Sequence, residues 1–150
     1  MSWDMWHVEG IGFSCNNVSA EKVHDFFYKH YNSVKKWMDP NYFTYLDALF
    51  NEKDIRNITI EDIRDLMCFG TISEIAAAAM RMETEIRFDA PGLTDDGEDC
   101  VLFVPQYYWD FNEAEKKLTC RDDLEKILLP YAEELGVTDT IDSYDLVYSG

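Results

Sequence analysis

Apolar residues recur along this chain with two different periods, and the change from one to the other sets the expected architecture. Trp6 to Phe13 (WHVEGIGF) reads as an opening strand, with Gly10 and Gly12 marking a bulge or a close backbone approach. Ser19 is a good N-cap for a helix reaching about Val34. Val23, Phe26, Phe27, His30, Tyr31 and Val34 repeat there at the spacing of one buried helical face, while Lys22, Lys29, Lys35 and Lys36 fall largely elsewhere around it. Asp39-Pro40 pairs a cap with proline at the first helical position and opens a second helix with Phe43, Leu46, Leu49 and Phe50 inward. Thr59 caps a short helix carrying Ile60, Ile63, Leu66 and Met67, which Gly70 is placed to stop. Ser73 to Met82 contains four consecutive alanines, a strong helix-forming stretch whose small side chains let another element approach closely.

After Met82 the period falls to two. Glu85-Ile86-Arg87-Phe88-Asp89 alternates as a half-buried strand should, and Cys100 to Val104 is continuously apolar, as in a central strand limited by Pro105. Pro91-Gly92 and Asp96-Gly97 between them are turn signals, which together predict a β-hairpin with a long acidic loop. Arg121 to Leu135 is again helical, with Leu124, Ile127, Leu128, Tyr131 and Leu135 inward, Gly136 at its end and a kink expected at Pro130. Ile141 to Tyr148 returns as a last strand. Strand, several helices, two strands, helix and strand predict a single α+β domain over residues 1–150, with a small, mainly antiparallel sheet packed against several helices.

Composition supports a folded chain. Four Trp, nine Tyr and nine Phe supply ample core material, whereas acidic disordered chains are poor in aromatics. Cys15, Cys68, Cys100 and Cys120 are widely spaced with no C-x-x-C pair, and the first residues lack the basic stretch and apolar core of a secretory signal. Free thiols and a cytoplasmic setting are expected, with the Cys100 thiol buried beside its apolar neighbours. No apolar run approaches the roughly 20 residues that cross a bilayer.

Charge changes the picture most. The chain holds 30 Asp and Glu against 13 Lys and Arg. Residues 1–57 carry 8 acidic and 6 basic side chains, a net of −2; residues 58–150 carry 22 and 7, a net of −15. Such a field repels nucleic acid and anionic membrane and attracts cationic surfaces over about 8–10 Å. Asp95, Asp96, Glu98 and Asp99 crowd the hairpin loop; Glu133, Glu134, Asp139, Asp142 and Asp145 follow in a tail with no basic residue after Lys126. Two readings stand side by side: a solvated face that maintains solubility, and a mimic of nucleic-acid phosphate that enters a Lys/Arg-lined groove. Gln106-Tyr107-Tyr108-Trp109-Asp110-Phe111 holds four aromatics in five residues; the rings read first as core, and since a short segment cannot easily turn all of them inward, Tyr108 and Trp109 join the acids as candidate partner-binding residues.

Signatures of other chemistry are weak or missing. Glu21-x-x-His24 is a single copy of a motif that di-metal bundles need twice, and Asp95-Asp96-Gly97-Glu98-Asp99 lacks the alternating ligands of an EF-hand, leaving only weak calcium binding open. The histidines and cysteines have no zinc-site spacing. There is no phosphate-cradling glycine loop, no G-x-S-x-G and no H-E-x-x-H, so no enzyme, metal or cofactor is expected. His30, on an apolar helical face, reads as a satisfied core histidine.

WHVEGIGF, LFVPQYYWDFNEAEKKLT and the amphipathic helix after it give a layout that resembles small proteins encoded by phages and mobile elements of Gram-positive bacteria. Some members of that group, including anti-CRISPR proteins, are acidic inhibitors of host defence that imitate DNA. The resemblance implies a class of target and carries over no individual residue; the basic side chains of residues 1–57 confine any mimicry to one face. The expected function is an acidic module that docks its 89–99 loop and 133–145 region on a basic, nucleic-acid-binding protein surface. The alternative is a small structural or assembly protein that self-associates through the aromatic 107–111 run.

Overall fold

Three strands and six α-helices account for most of the described residues. The computed structural model describes residues 5–66, 72–90, 99–103, 108–137 and 141–149, with the backbone alone described at 5–9, 108 and 143–149. Strand β1 (Met5–Ser14) is followed by helices α1 (Ala20–Lys29), α2 (Tyr31–Trp37), α3 (Pro40–Glu52), α4 (Ile60–Leu66) and α5 (Ile72–Thr84). Strand β2 (Cys100–Phe103), helix α6 (Arg121–Glu134) and strand β3 (Asp142–Ser149) complete the order. The fold is α+β, with one antiparallel sheet of strand order β2-β1-β3.

The opening strand is the middle of that sheet. Its last four residues pair with β2, Ile11 opposite Phe103 and Ser14 opposite Cys100, and residues 5–12 pair with β3 from Met5–Ser149 to Gly12–Asp142. Gly12 makes the pairing with β2 possible: a Cβ there would lie 1.7 Å from the Val101 carbonyl oxygen. Phe13 is fully buried, and α6 packs on β1 while α5 packs on β2.

Two strand expectations are corrected. Cys100–Phe103 is buried throughout, as a central strand would be, but it lies beside β1 at the end of the three-strand order. Its burial comes from α5 and from Asp89, which bridges its outer edge by exchanging two backbone hydrogen bonds with Leu102 (2.7 and 2.8 Å). That bridge is all that forms of the expected strand over 85–89. Glu85 sits at φ 62° and turns the chain, so the period-two pattern records Ile86 and Phe88 entering the core while Arg87 stays outside. The hairpin loop, Val104, Pro105, Gly70, Met67 and Cys68 lie outside the described residues.

The helices start where local chemistry places them. Ser19 Oγ accepts from Lys22 N–H, Asp39 from Asn41 N–H, and Thr59 exchanges bonds with Asp62 in a capping box. Gly136, at φ 71°, supplies the left-handed residue that ends α6. The helix expected over 19–34 is two helices meeting at His30, whose backbone leaves the helical region (φ −108°, ψ 26°). α6 runs through Pro130 as one helix. Ala76 to Ala79 are all buried, and α2 lies against α5 along this small-residue stretch. Phe26, Phe27, Val34, Phe43, Leu46, Ile63, Ile75, Met80, Phe88 and Leu128 belong to one apolar core. Cys15 and Cys100 are buried and Cys120 is exposed, none of the three in a disulfide.

Candidate functional site

Of the acidic residues expected to face a partner, those that are described divide between exposed positions and internal contacts. Asp95, Asp96, Glu98, Asp139 and Tyr107 lie outside the described residues, as do the side chains of Tyr108 and Asp145. Glu133 and Asp142 are exposed. Asp142 Oδ1 lies 3.9 Å from Arg121 Nη2 at the start of α6, whereas Glu133 is near that helix's end. Twelve residues of helix separate those ends by about 18 Å.

Asp99 is a correction. It is buried, and its carboxylate is directed inward to the start of α5, where Ser73 donates from Oγ to Oδ1 and from its backbone N–H to Oδ2. The Asp99 backbone is equally committed, its N–H to Asn16 Oδ1 (2.8 Å) and its carbonyl to Cys15 N–H (2.7 Å). Burial raises the Asp99 carboxyl pKa, partly opposed by the hydrogen bonds from Ser73. The Cys15 thiol beside it is pushed well up by burial and then by that carboxylate. Neither group faces a partner.

Glu134 is also spoken for. Its Oε1 accepts from Lys29 Nζ (2.5 Å) and its Oε2 lies 2.6 Å from His30 Nε2, while His30 Nδ1 lies 2.7 Å from Glu83 Oε2. Tyr131 donates its hydroxyl to the other Glu83 oxygen (3.0 Å). Burial pushes the Glu134 carboxyl up, but bonds from His30 and Lys29 outweigh it and hold the group below its ordinary range. This clasp joins the α1–α2 junction to α5 and α6. Both imidazole nitrogens lie within hydrogen-bond distance of a carboxylate, so His30 is a partnered residue of the interior. His24 is engaged at one nitrogen, with Nδ1 3.1 Å from Asp25 and its ring edge-on to Phe50.

Sequence reasoning missed two features near the C-terminal end of α5. Arg87 and Glu115 form a fork: Arg87 Nε and Nη2 donate to the carboxylate (2.7–3.1 Å), and the backbone N–H groups of Arg87 and Asn112 add two more bonds at 3.0 and 3.1 Å. Glu115 is only 1% exposed. Burial alone would raise its pKa, yet the Arg87 and backbone bonds bring it below the ordinary carboxylate range. Arg87 Nη2 also donates to the Asp110 carbonyl (2.6 Å), which fixes the 3-10 turn Tyr108–Asp110. Trp109, on that turn, is 76% exposed, the large exposed ring anticipated from the aromatic run.

The second missed feature is a groove of about 560 Å³ lined by Trp37, Arg81, Met82, Glu85, Ile86, Arg87 and Asn112. It adjoins a smaller recess of about 70 Å³, sharing Trp37 and Arg81 with it; Asp39, Glu74, Asp89 and the Ala77–Ala78 backbone turn also line the recess. Trp37 is 54% exposed at the end of α2. Glu74 has its pKa raised by partial burial and then by the nearby Asp39. The one hint in the sequence is a tryptophan placed directly before the helix-ending Met38-Asp39-Pro40, off the apolar face.

Among the described residues no helix is long and apolar enough to cross a membrane, and no group of three or more His, Cys, Asp or Glu side chains is placed to hold a metal ion. No protein-family model, curated protein or solved structure matches the chain.

Proposed function

We propose that this protein is an acidic interaction module of the cytoplasm that docks on a basic surface of a nucleic-acid-binding protein and competes with nucleic acid for it. The observation that carries the reading is the net charge of −15 in residues 58–150. Carboxylates held on a folded frame displace anions condensed on a Lys/Arg-lined groove, so binding gains the counterion-release free energy that phosphate enjoys and weakens steeply with salt. Asp95, Asp96, Glu98, Glu133 and Asp142 are the acids assigned to this face, with Trp109 as an aromatic anchor. Asp99 and Glu134 have no part in it, since both serve internal contacts. A host-defence protein that binds DNA is the kind of target this chemistry suits.

The test is a variant with Asp95, Asp96, Glu98 and Glu133 all changed to Lys, compared with the parent protein as an immobilised bait for bacterial lysate eluted by a salt gradient. We expect the parent to retain one nucleic-acid-binding protein to high salt, added DNA to release it, and the variant to lose it. Retention unchanged by the charge reversal and insensitive to salt overturns the reading. If the bait then proves oligomeric by sedimentation, self-association through aromatic surface such as Trp109 replaces it.

A further inference from the structure

We propose that the groove and recess beside Trp37 form a socket for one cationic side chain, Arg or Lys, presented on an apolar-flanked segment of the basic partner. The proposal rests on the reading of the protein as a module for basic surfaces and gives that module a defined anchor point.

Size comes first. At about 560 Å³ the groove falls in the range of ligand-binding clefts, about 300–1,000 Å³. The recess, at about 70 Å³, is much the smaller of the two and opens beside the groove, so it takes the head group of one side chain rather than a whole segment. The groove can then hold the remainder of the segment against Met82 and Ile86.

Charge selects the sign of the occupant. Three carboxylates, Asp39, Glu74 and Asp89, line the recess against one guanidinium, Arg81. Arg81 is already committed, its Nε donating to the Phe88 carbonyl and its Nη2 to Asp89 (3.1 Å). Arg87, the other cation of the groove, is held by Glu115. Arg81 acts on Glu74 through its field while its donors serve Phe88 and Asp89, so Glu74 accepts no hydrogen bond among the described residues, and Asp39 caps α3 with one oxygen. An anionic ligand would meet this surplus and be repelled. A cation would be drawn to it.

Trp37 completes the fit. Its half-exposed indole borders both concavities, so an incoming head group can lie over the ring face while its methylenes cover Ala77 and Ala78. An arginine suits this better than a simple ammonium ion, because its plane stacks on indole while its edge donates to carboxylates.

The probe is the capped tripeptide acetyl-Leu-Arg-Leu-amide, with acetyl-Leu-citrulline-Leu-amide as its neutral match, titrated against the full chain while the indole N–H resonances are followed by NMR. Trp37→Phe identifies the Trp37 signal. We expect the arginine peptide to shift that signal saturably, the citrulline peptide to bind at least tenfold more weakly, and Glu74→Gln to cost about tenfold. Glu52→Gln, exposed at the far end of α3 from Asp39, should leave the titration unchanged. Equal shifts from both peptides, or a Glu74→Gln protein that binds as before, overturn the socket. The two readings fail separately. Lysate retention lost on charge reversal but intact in Trp37→Ala and Glu74→Gln removes the socket and keeps the acidic module. Peptide binding at Trp37 with no salt-dependent partner on the bait does the reverse.

Discussion

Glu115 and Asp99 are buried carboxylates whose pKa values move in opposite directions. Glu115 receives a guanidinium and two backbone donors, so its folded pKa lies below the unfolded one. Its stabilisation is present above the unfolded value, about 4.3, and is lost as pH falls through the folded value. Asp99 receives Ser73 but no cation in contact, and burial leaves its folded pKa raised. Its charge opposes folding at neutral pH, and that cost is relieved as pH falls through the raised value. Glu115→Gln should therefore lose about 2–3 kcal/mol at pH 7, the worth of hydrogen bonds to a charged acceptor, and flatten the acid side of the stability curve. Asp99→Asn should cost much less at pH 7 and steepen the acid side. Urea unfolding between pH 3 and 7 checks both; equal losses would mean that the two sites do not differ in this way. Neither residue announces itself in the sequence, where Asp99 ends an acidic run and Glu115 sits among charged neighbours. Burial is a tertiary fact, and a carboxylate carries no local mark of it.

Among the elements, the glycines of β1 separate two kinds of close contact. A Cβ on Gly12 meets the Val101 carbonyl at 1.7 Å, and backbone paired in a ladder cannot retreat. On Gly10 it meets Leu102 side-chain atoms at 3.0–3.4 Å, which can shift by changing rotamer. Gly12→Ala should cost at least about 4 kcal/mol or prevent folding, and Gly10→Ala about 1–3 kcal/mol. Similar unfolding midpoints for the two variants would show that β2 can move away from β1. These glycines were legible as a close approach, and the helix starts at Ser19, Asp39 and Thr59 were legible because capping depends on three or four adjacent residues. The order of strands was not. Continuous apolarity marked Cys100–Phe103 as central, yet a strand beside the middle one is equally covered when a helix lies on it and Asp89 closes its edge. The break at His30 was hidden for a similar reason, since it coincides with carboxylates arriving from α5 and α6 at residues 83 and 134.

The whole molecule carries a net charge of −17, and mutual repulsion among its carboxylates works against the folded state. Raising salt from 10 to 150 mM shortens the screening length from about 30 to about 8 Å. The melting temperature should then rise by roughly 2–4 °C, corresponding to about 1 kcal/mol at this chain length. A fall would mean that attractive ion pairs such as Lys29–Glu134 outweigh the repulsion. The candidate site was legible at this scale as a sign and an uneven distribution of charge; the Trp37 groove was not, because it forms where α2, α5 and the Arg87 segment meet. The central position of β1 also bears on how the protein is made. Both strands that flank β1 are translated long after it, the second from residues 142–149. At about 5–20 residues per second the wait on the ribosome is on the order of ten seconds. Until β2 emerges β1 has two open edges, and the first part of the chain to be synthesised, residues 1–57, is nearly neutral and offers little repulsion to a neighbouring nascent chain. A chaperone that holds the first 60 residues during translation would protect this protein more than one that acts after release.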